Sequence, residues 1–139
     1  MKSRETLLRL KRFQVDEKRR RVSQIEMMIA DFHRMASDLD REIQAEESRA
    51  GIADPAHFAY PTYAKAAIQR RENLTRSADE LRVQLEDAKL LLAEAFEELK
   101  KVELLDERDQ ARERAEENAR EQADMESIGL MRPRLGVVA

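Results

Sequence analysis

The sequence of 139 residues contains no cysteine and no tryptophan, and it has only three glycines and three prolines. The absence of cysteine excludes disulfides, thiolate metal sites and cysteine nucleophiles, and it agrees with a reducing compartment. A compact β or α/β fold of this length needs many turns, and therefore many more glycines and prolines. Those two fold classes are nearly excluded.

Charged residues are what the sequence has in abundance, because they make up 40% of it. The 26 basic and 29 acidic side chains leave a net charge of only −3. This composition, rich in Ala, Glu, Lys, Leu and Arg, is typical of long helices and coiled coils. No segment approaches the 18 consecutive apolar residues that a membrane-spanning helix needs, and the basic opening lacks the apolar centre of a secretory signal.

All glycines and prolines lie either in the middle of the chain or near its end, so two long stretches are free of helix-breaking residues. Ser3 is expected to cap the first helix and Gly51 to end it, while Asp54 before Pro55 favours a short helical turn in the connector. The predicted organisation is a hairpin over residues 1–128, with helices at 3–50 and 62–126, a connector at 51–61, and a flexible tail at 129–139.

Apolar residues follow a heptad pattern in both predicted helices. More than three heptads of this kind are a strong sign of a coiled coil. The first helix has Leu8, Val15, Val22, Ile29, Ala36 and Ile43 at one seam position and Ile25, Phe32 and Leu39 at the other. The second has Leu74, Ala78, Leu81, Leu85, Ala88, Leu92, Ala95, Leu99 and Val102. We therefore predict an all-α fold, a long two-helix antiparallel coiled-coil hairpin.

Charge and length support the antiparallel arrangement and predict a C-terminal helical overhang. Residues 1–21 carry nine basic and three acidic side chains, net +6, whereas residues 100–126 carry six basic and ten acidic ones, net −4. A turn near residue 57 places residue i opposite 114 − i, which brings the two segments together. After Leu105 the seam positions become acidic, so the second helix continues without an apolar stripe. The heptads fit a hairpin closed within one chain and one swapped between two chains equally well.

Catalytic and cofactor chemistry is not indicated by the sequence. A two-helix hairpin encloses no pocket, which argues against an enzyme and against a small-molecule substrate. No glycine-rich phosphate loop is present, so no nucleotide cofactor is expected. His33 and His57 lie 24 residues apart without metal-site spacing, and carboxylates on adjacent turns are expected to be solvated. Seam positions occupied by alanine or by Lys18 bury little surface, so we expect the hairpin to have a partner.

Three groups of side chains are candidates for binding, and each has an alternative interpretation. The basic run 18–21, with Arg9, Lys11 and Arg12, has two interpretations. It either forms an electrostatic zipper, a series of ion pairs with the acidic segment 100–126, or binds an acidic protein, a nucleic acid or a membrane. The net charge of −3 argues against a dedicated nucleic-acid binder. The other two groups either dock a partner or pack within the hairpin: Met27, Met28 and Met35 around Ile29, and Phe58, Tyr60 and Tyr63 over Ile52 and Ile68.

The opening MKSRETLLRLKRFQVDEKRRRV, followed by this hairpin and a charged overhang, resembles the flagellar export protein FliJ family of the alphaproteobacterial type. The resemblance spans nearly the whole chain. It implies a non-enzymatic stalk or adaptor of the flagellar type III export apparatus, needed for flagellum assembly and motility. Members of this family insert into the hexameric export ATPase and couple it to the membrane export gate, and some escort export chaperones. The implied location is the cytoplasm, at the inner membrane below the flagellum.

The resemblance also implies where the partners bind. In the family both chain ends face the ATPase, and the start of the second helix contacts the gate. The stretch from Tyr63 to Arg71 departs from the family pattern, because it has alanine and arginine at positions where bulkier apolar residues are expected. The ATPase-facing candidates are Arg4, Leu7, Leu8, Arg9, Lys11, Arg12, Arg108, Arg112 and Arg120, and the export-gate or tip candidates are Phe58, Tyr60, Tyr63 and Ile68.

Two hypotheses from other classes compete with the export stalk. One is a generic coiled-coil scaffold or holdase chaperone, which grips client proteins by its tip or by its methionine-rich face. The other is a basic-helix nucleic-acid binder, whose binding would weaken steeply with salt.

Overall fold

The structure is a computed structural model and describes residues 2–131. Two long helices make up most of this region. Helix α1 spans Lys2–Ala50 and helix α2 spans Thr62–Met131. The two helices run antiparallel and pack against each other along α1, and no strand occurs among the described residues. The all-α fold and the two-helix hairpin are therefore confirmed, and here the hairpin closes within one chain.

Both helices are slightly longer than the sequence predicts. α1 already includes Lys2, so Ser3 lies inside the helix and does not cap it. α2 passes through Gly129 and continues to Met131. A single glycine costs a helix about 1 kcal/mol but keeps its backbone N–H, so it does not force the helix to end. The rest of the expected flexible tail, residues 132–139, lies outside the described residues.

The connector starts with a glycine cap, as the sequence predicts. Gly51 has a φ of 69°, and its N–H donates a hydrogen bond of 2.8 Å to the carbonyl oxygen of Glu47. This left-handed residue ends α1 in the usual αL arrangement. Asp54 then caps a turn and not a helix, because its carboxylate accepts the N–H of Ala56 at 3.0 Å and its carbonyl accepts the N–H of His57 at 3.0 Å.

The core is a single seam between the helices, and it follows the predicted heptad positions. Ile25 is the most deeply buried large side chain, with 1% of its surface exposed, and it lies in a cluster with Val22, Leu81 and Ala88. A second cluster near the tip joins Leu39, Ile43 and Ala67. No charged or polar residue among the described ones is buried. Burial of this apolar stripe is the main force that holds the two helices together.

On α2 the seam is buried most deeply near the tip and less deeply toward the open end, where α1 begins, whereas Leu8 and Val15 of α1 remain buried there. On the tip side α2 contributes alanines, which are completely buried at Ala64 and Ala78. Small side chains let two helices approach closely. Toward the open end the seam residues Ala95, Leu99 and Val102 are only half-buried. The depth at which the α2 side chains are buried therefore differs between the two ends of the hairpin.

Candidate partner-binding surfaces

The open end of the hairpin is held by one arginine among three carboxylates, which we call the Arg4 clasp. The guanidinium of Arg4 lies 3.0 Å from Asp106, 3.3 Å from Asp109 and 3.1 Å from Glu113. The Nη2 atom donates a hydrogen bond to Glu113, whereas Nε faces Asp106 as an ion pair without hydrogen-bond alignment. Desolvation acts to lower the pKa of Arg4, but the surrounding carboxylates outweigh it and raise that pKa. The predicted pairing of residue 4 with residue 110 agrees with these contacts.

A second ion pair links the helices about two turns further along α1. The ammonium of Lys11 lies 2.9 Å from Oε2 of Glu98, and this hydrogen bond and charge lower the pKa of the Glu98 carboxyl. Arg19 lies over the ring of Phe96, with 5.3 Å between its guanidinium carbon and the ring centroid. Of the seven cations in the predicted electrostatic zipper, only Lys11 therefore forms an ion pair with α2 among the described residues. Arg4, which was not among the seven, forms the other inter-helix ion pairs at this end.

The remaining cations at the start of α1 are not used by the hairpin. Arg9, Arg12, Arg20 and Arg21 are exposed, and Lys18 is half-buried at a seam position. None of these five forms an ion pair or a hydrogen bond with the described residues, although acidic side chains lie on α2 nearby. Most of the basic run is therefore available to a ligand outside the chain.

The nine ATPase-facing candidates divide into two sets. Arg4, Leu8 and Lys11 lie in or beside the seam, where Leu8 packs and the two cations pair with α2. These three shape the open end and are shielded by it. The other six are exposed on the outside of the hairpin or on the overhang: Leu7, Arg9, Arg12, Arg108, Arg112 and Arg120.

The overhang is a single helix without a partner. Arg4 lies opposite residues 106–113, so α2 runs past the start of α1, and every residue from 110 to 130 is exposed. The helix is maintained here by good helix formers and not by a core. The loss of apolar seam positions after Leu105 predicted this overhang correctly.

The four tip candidates divide in the same way as those at the open end. Tyr60 is buried, and its hydroxyl donates a hydrogen bond of 2.7 Å to Glu47; desolvation and this bond raise the pKa of Tyr60. Ile68 packs against the core cluster near the tip. Phe58, in contrast, is 97% exposed and stacks on the ring of His57 at 4.8 Å. The tip is therefore closed by Tyr60 and Ile68, while Phe58 protrudes from it.

Tyr63 lies at the edge of a groove between the helices, close to the tip. Its hydroxyl donates a hydrogen bond of 2.7 Å to Glu42, and this bond raises the pKa of Tyr63. The groove holds a cavity of about 500 Å³, with Met35, Leu39 and Leu74 as its apolar part. Its remaining lining is polar or charged: Asp38, Glu42, Arg70, Asn73 and Ser77. The heptad pattern of one helix could not reveal this groove, because its two walls come from different helices.

The three methionines of α1 do not pack around Ile29 as one interpretation predicted. Met27, Met28 and Met35 are all substantially exposed. Their positions flank the seam and lie outside it, so α2 does not cover them. This leaves a flexible apolar surface on α1 that a partner can cover.

No metal-binding cluster of three or more His, Cys, Asp or Glu side chains occurs within residues 2–131. Nε2 of His33 lies 3.3 Å from a guanidinium nitrogen of Arg82, and Nδ1 of His57 accepts the backbone N–H of Ala59. The helices of the described region include no segment with the length and hydrophobicity that a membrane span requires.

The fold and these surfaces define a class: a long coiled-coil hairpin that offers contact surfaces at its two ends. The comparison with known families then gives a particular identity. The sequence matches the family of the flagellar FliJ protein over residues 1–135, so the chain belongs to that family and is a flagellar export-related protein. No curated protein matches the sequence. No solved structure matches it either.

Proposed function

We propose that this protein is a non-enzymatic stalk or adaptor of the flagellar type III export apparatus, which couples the export ATPase hexamer to the membrane export gate. The observation that carries the proposal is an unpaired helical overhang on a long hairpin in a member of the flagellar FliJ protein family. At 1.5 Å per residue, the 49 residues of α1 give a hairpin about 73 Å long, enough to bridge two separate partners. In this role the protein is needed for flagellum assembly and motility.

The open end contacts the ATPase in this proposal. The six exposed candidates there supply the contacts, five of them through arginine, which pairs well with carboxylates. The Arg4 clasp holds the start of α1 against α2, so that the two helices enter the ATPase as one rigid body. Leu8 and Lys11 act in the same way from within the hairpin.

The tip and its groove contact the export gate. Phe58 presents an exposed ring on a connector fixed by Gly51 and by the turn at Asp54. Aromatic side chains on a well-ordered surface are common anchors of protein interfaces. Tyr63 borders the groove on the same end of the molecule, whereas Tyr60 and Ile68 maintain the shape of the tip.

Binding to the ATPase is tested by charge reversal on α2. The triple variant Arg108→Glu/Arg112→Glu/Arg120→Glu is expected to lose co-sedimentation with the hexamer and the stimulation of ATP hydrolysis that the unaltered protein produces. Arg76→Glu is the matched control, because Arg76 is also an exposed α2 arginine without an ion pair. If the unaltered protein neither binds nor stimulates the hexamer, and a deletion strain keeps its motility, the stalk function is wrong.

The gate contact is tested separately. Phe58→Ala is expected to reduce swarming in a complemented deletion strain and to leave binding to the ATPase unchanged, because the two ends are far apart. Val83→Ala, which alters an exposed apolar residue away from the tip, serves as the control. Unchanged swarming of the Phe58 variant would remove Phe58 from the gate contact.

The alternative function, a generic coiled-coil scaffold or holdase chaperone, is favoured by one observation, the exposed methionines of α1. In that case the protein suppresses aggregation of a flagellar client, and Met27→Ser/Met28→Ser/Met35→Ser abolishes the effect. Suppression of aggregation by a protein that does not bind the ATPase would replace the stalk with this alternative.

A further inference from the structure

The overhang carries an acidic face that continues the seam beyond the end of α1. Glu113, Glu117, Glu121 and Asp124 are spaced by four, four and three residues, which places them on one side of α2. Asp106 and Asp109 belong to the same side, and there the Arg4 clasp engages them. The clasp uses the first carboxylates of this face, and the later ones have no helix opposite them.

The start of α1 carries the complementary charges. Arg9, Arg12 and Arg20 are exposed and form no ion pair among the described residues. The overhang of residues 114–131 has five acidic and two basic side chains, a net charge of −3. Its two basic residues, Arg114 and Arg120, reduce the charge of the acidic face without reversing it.

The two charged faces cannot meet within one molecule. The overhang leaves the hairpin in the direction opposite to the tip, whereas residues 4–21 run toward the tip. α2 has no turn between residue 62 and residue 131 that could fold the overhang back. Within this protein, the basic face at the start of α1 can therefore reach the overhang only from a second copy of the chain.

We propose that a second copy of this chain docks on the overhang, so that two hairpins meet at their open ends and each overhang lies along the start of α1 of the other copy. The lengths agree, since residues 114–131 and residues 4–21 each comprise 18 residues, or about 27 Å of helix. The arrangement has twofold symmetry, because the overhang of each copy contacts the start of α1 of the other. Such an interface is closed and stops at a dimer. It uses Arg9, Arg12 and the overhang, which the proposed function assigns to the ATPase, so the dimer and the ATPase complex exclude each other.

The interface is electrostatic, so salt controls it. Charges at this surface are screened over about 10 Å at 0.1 M ionic strength. We expect light scattering of the full chain to show a dimer at 20 mM NaCl, and raising NaCl to 500 mM to weaken the dimer by at least about tenfold in Kd. A monomer at all salt concentrations up to high protein concentration would overturn the proposal.

Two charge-reversal variants and their mixture test the geometry. Glu117→Lys/Glu121→Lys/Asp124→Lys and Arg9→Glu/Arg12→Glu/Arg20→Glu are each expected to be monomeric at low salt. Mixed in equal amounts, they are expected to form a dimer, because both of its contacts then join opposite charges. Circular dichroism checks that each variant keeps its helix content.

The control for the first variant reverses three exposed acids of α2 that lie away from both faces, Glu72→Lys/Glu80→Lys/Asp87→Lys. It is expected to dimerise as the unaltered protein does. A dimer that survives either charge reversal, or a mixture that stays monomeric, would show that the overhang and α1 do not pair between copies.

Discussion

Ile25 is the residue whose truncation tests most directly that the seam stabilises the hairpin. Its side chain is 1% exposed and lies in the cluster with Val22, Leu81 and Ala88. Ile25→Ala removes three buried carbon atoms, worth about 0.8 kcal/mol each, or about 2.4 kcal/mol. Alanine is the better helix former by about 0.4 kcal/mol, so the expected net loss is about 2 kcal/mol.

Urea unfolding followed by circular dichroism at 222 nm measures this loss. With a slope of about 2 kcal/mol per molar urea, the midpoint is expected to fall by about 1 M. Val83→Ala is the control, because Val83 lies on the same kind of helix but is 66% exposed. That variant is expected to change stability by less than about 0.5 kcal/mol, in the stabilising direction.

The comparison between the two variants decides the matter. If Ile25→Ala shifts the midpoint no more than Val83→Ala does, the seam is not the source of stability and the packing argument fails. A change in slope would mean that the mutation altered the compactness of the denatured or native state, or that the two helices do not unfold as one unit.

Three further variants probe the connector and the ion pairs. Gly51→Ala is expected to cost about 1 kcal/mol in the same urea assay, because the φ of 69° strains any side chain while a Cβ would touch no other atom; an unchanged midpoint would contradict this. Glu98→Gln is expected to lower stability at pH 7, because Lys11 depresses the folded pKa of Glu98. The difference should shrink as pH falls below 4.5, the ordinary carboxyl value, and vanish once pH is below the depressed folded pKa. A difference that persists in strong acid would refute the ion pair. The unaltered protein is expected to lose stability as pH rises above 10, because desolvation and Glu47 raise the folded pKa of Tyr60. Tyr60→Phe is expected to abolish this loss. Identical alkaline unfolding of both proteins would argue against the buried hydroxyl.

The sequence was sufficient for the architecture because the helices are simple repeats. The scarcity of glycine and proline located the turn, and the heptads located the buried positions, including Ile25 and Ala78. The helix ends were less predictable, because Gly129 lies at a position where propensity is lost but no hydrogen bond is broken. Ser3 shows the same limit at the other end of the chain, because a favourable cap residue does not fix where a helix starts.

The binding surfaces were less accessible to sequence reasoning, since they depend on how two helices face each other. Arg4 and Arg9 are five residues apart and chemically identical, yet one is clasped by carboxylates and the other is free. Phe58 and Tyr60 are two residues apart in the connector, but their exposures are 97% and 7%. The direction of each side chain is set by the partner helix or by the local turn, and composition contains no information on either.

The burial of α2 side chains in the seam decreases from the tip to the open end, so the two ends of the hairpin should differ in how readily they unfold locally. The end lined by Ala64 and Ala78 should resist local unfolding most strongly, because the helices are in close contact there and the connector is capped. At the opposite end the seam side chains of α2 are only half-buried, and the Arg4 clasp joins the two helices. Without the Arg4 clasp, the first turns of α1 would be held mainly by Leu8 and by the Lys11–Glu98 ion pair, so local unfolding of the hairpin should begin there. Amide hydrogens of the unpartnered overhang should exchange first, those at the start of α1 next, and those beside the buried alanines last.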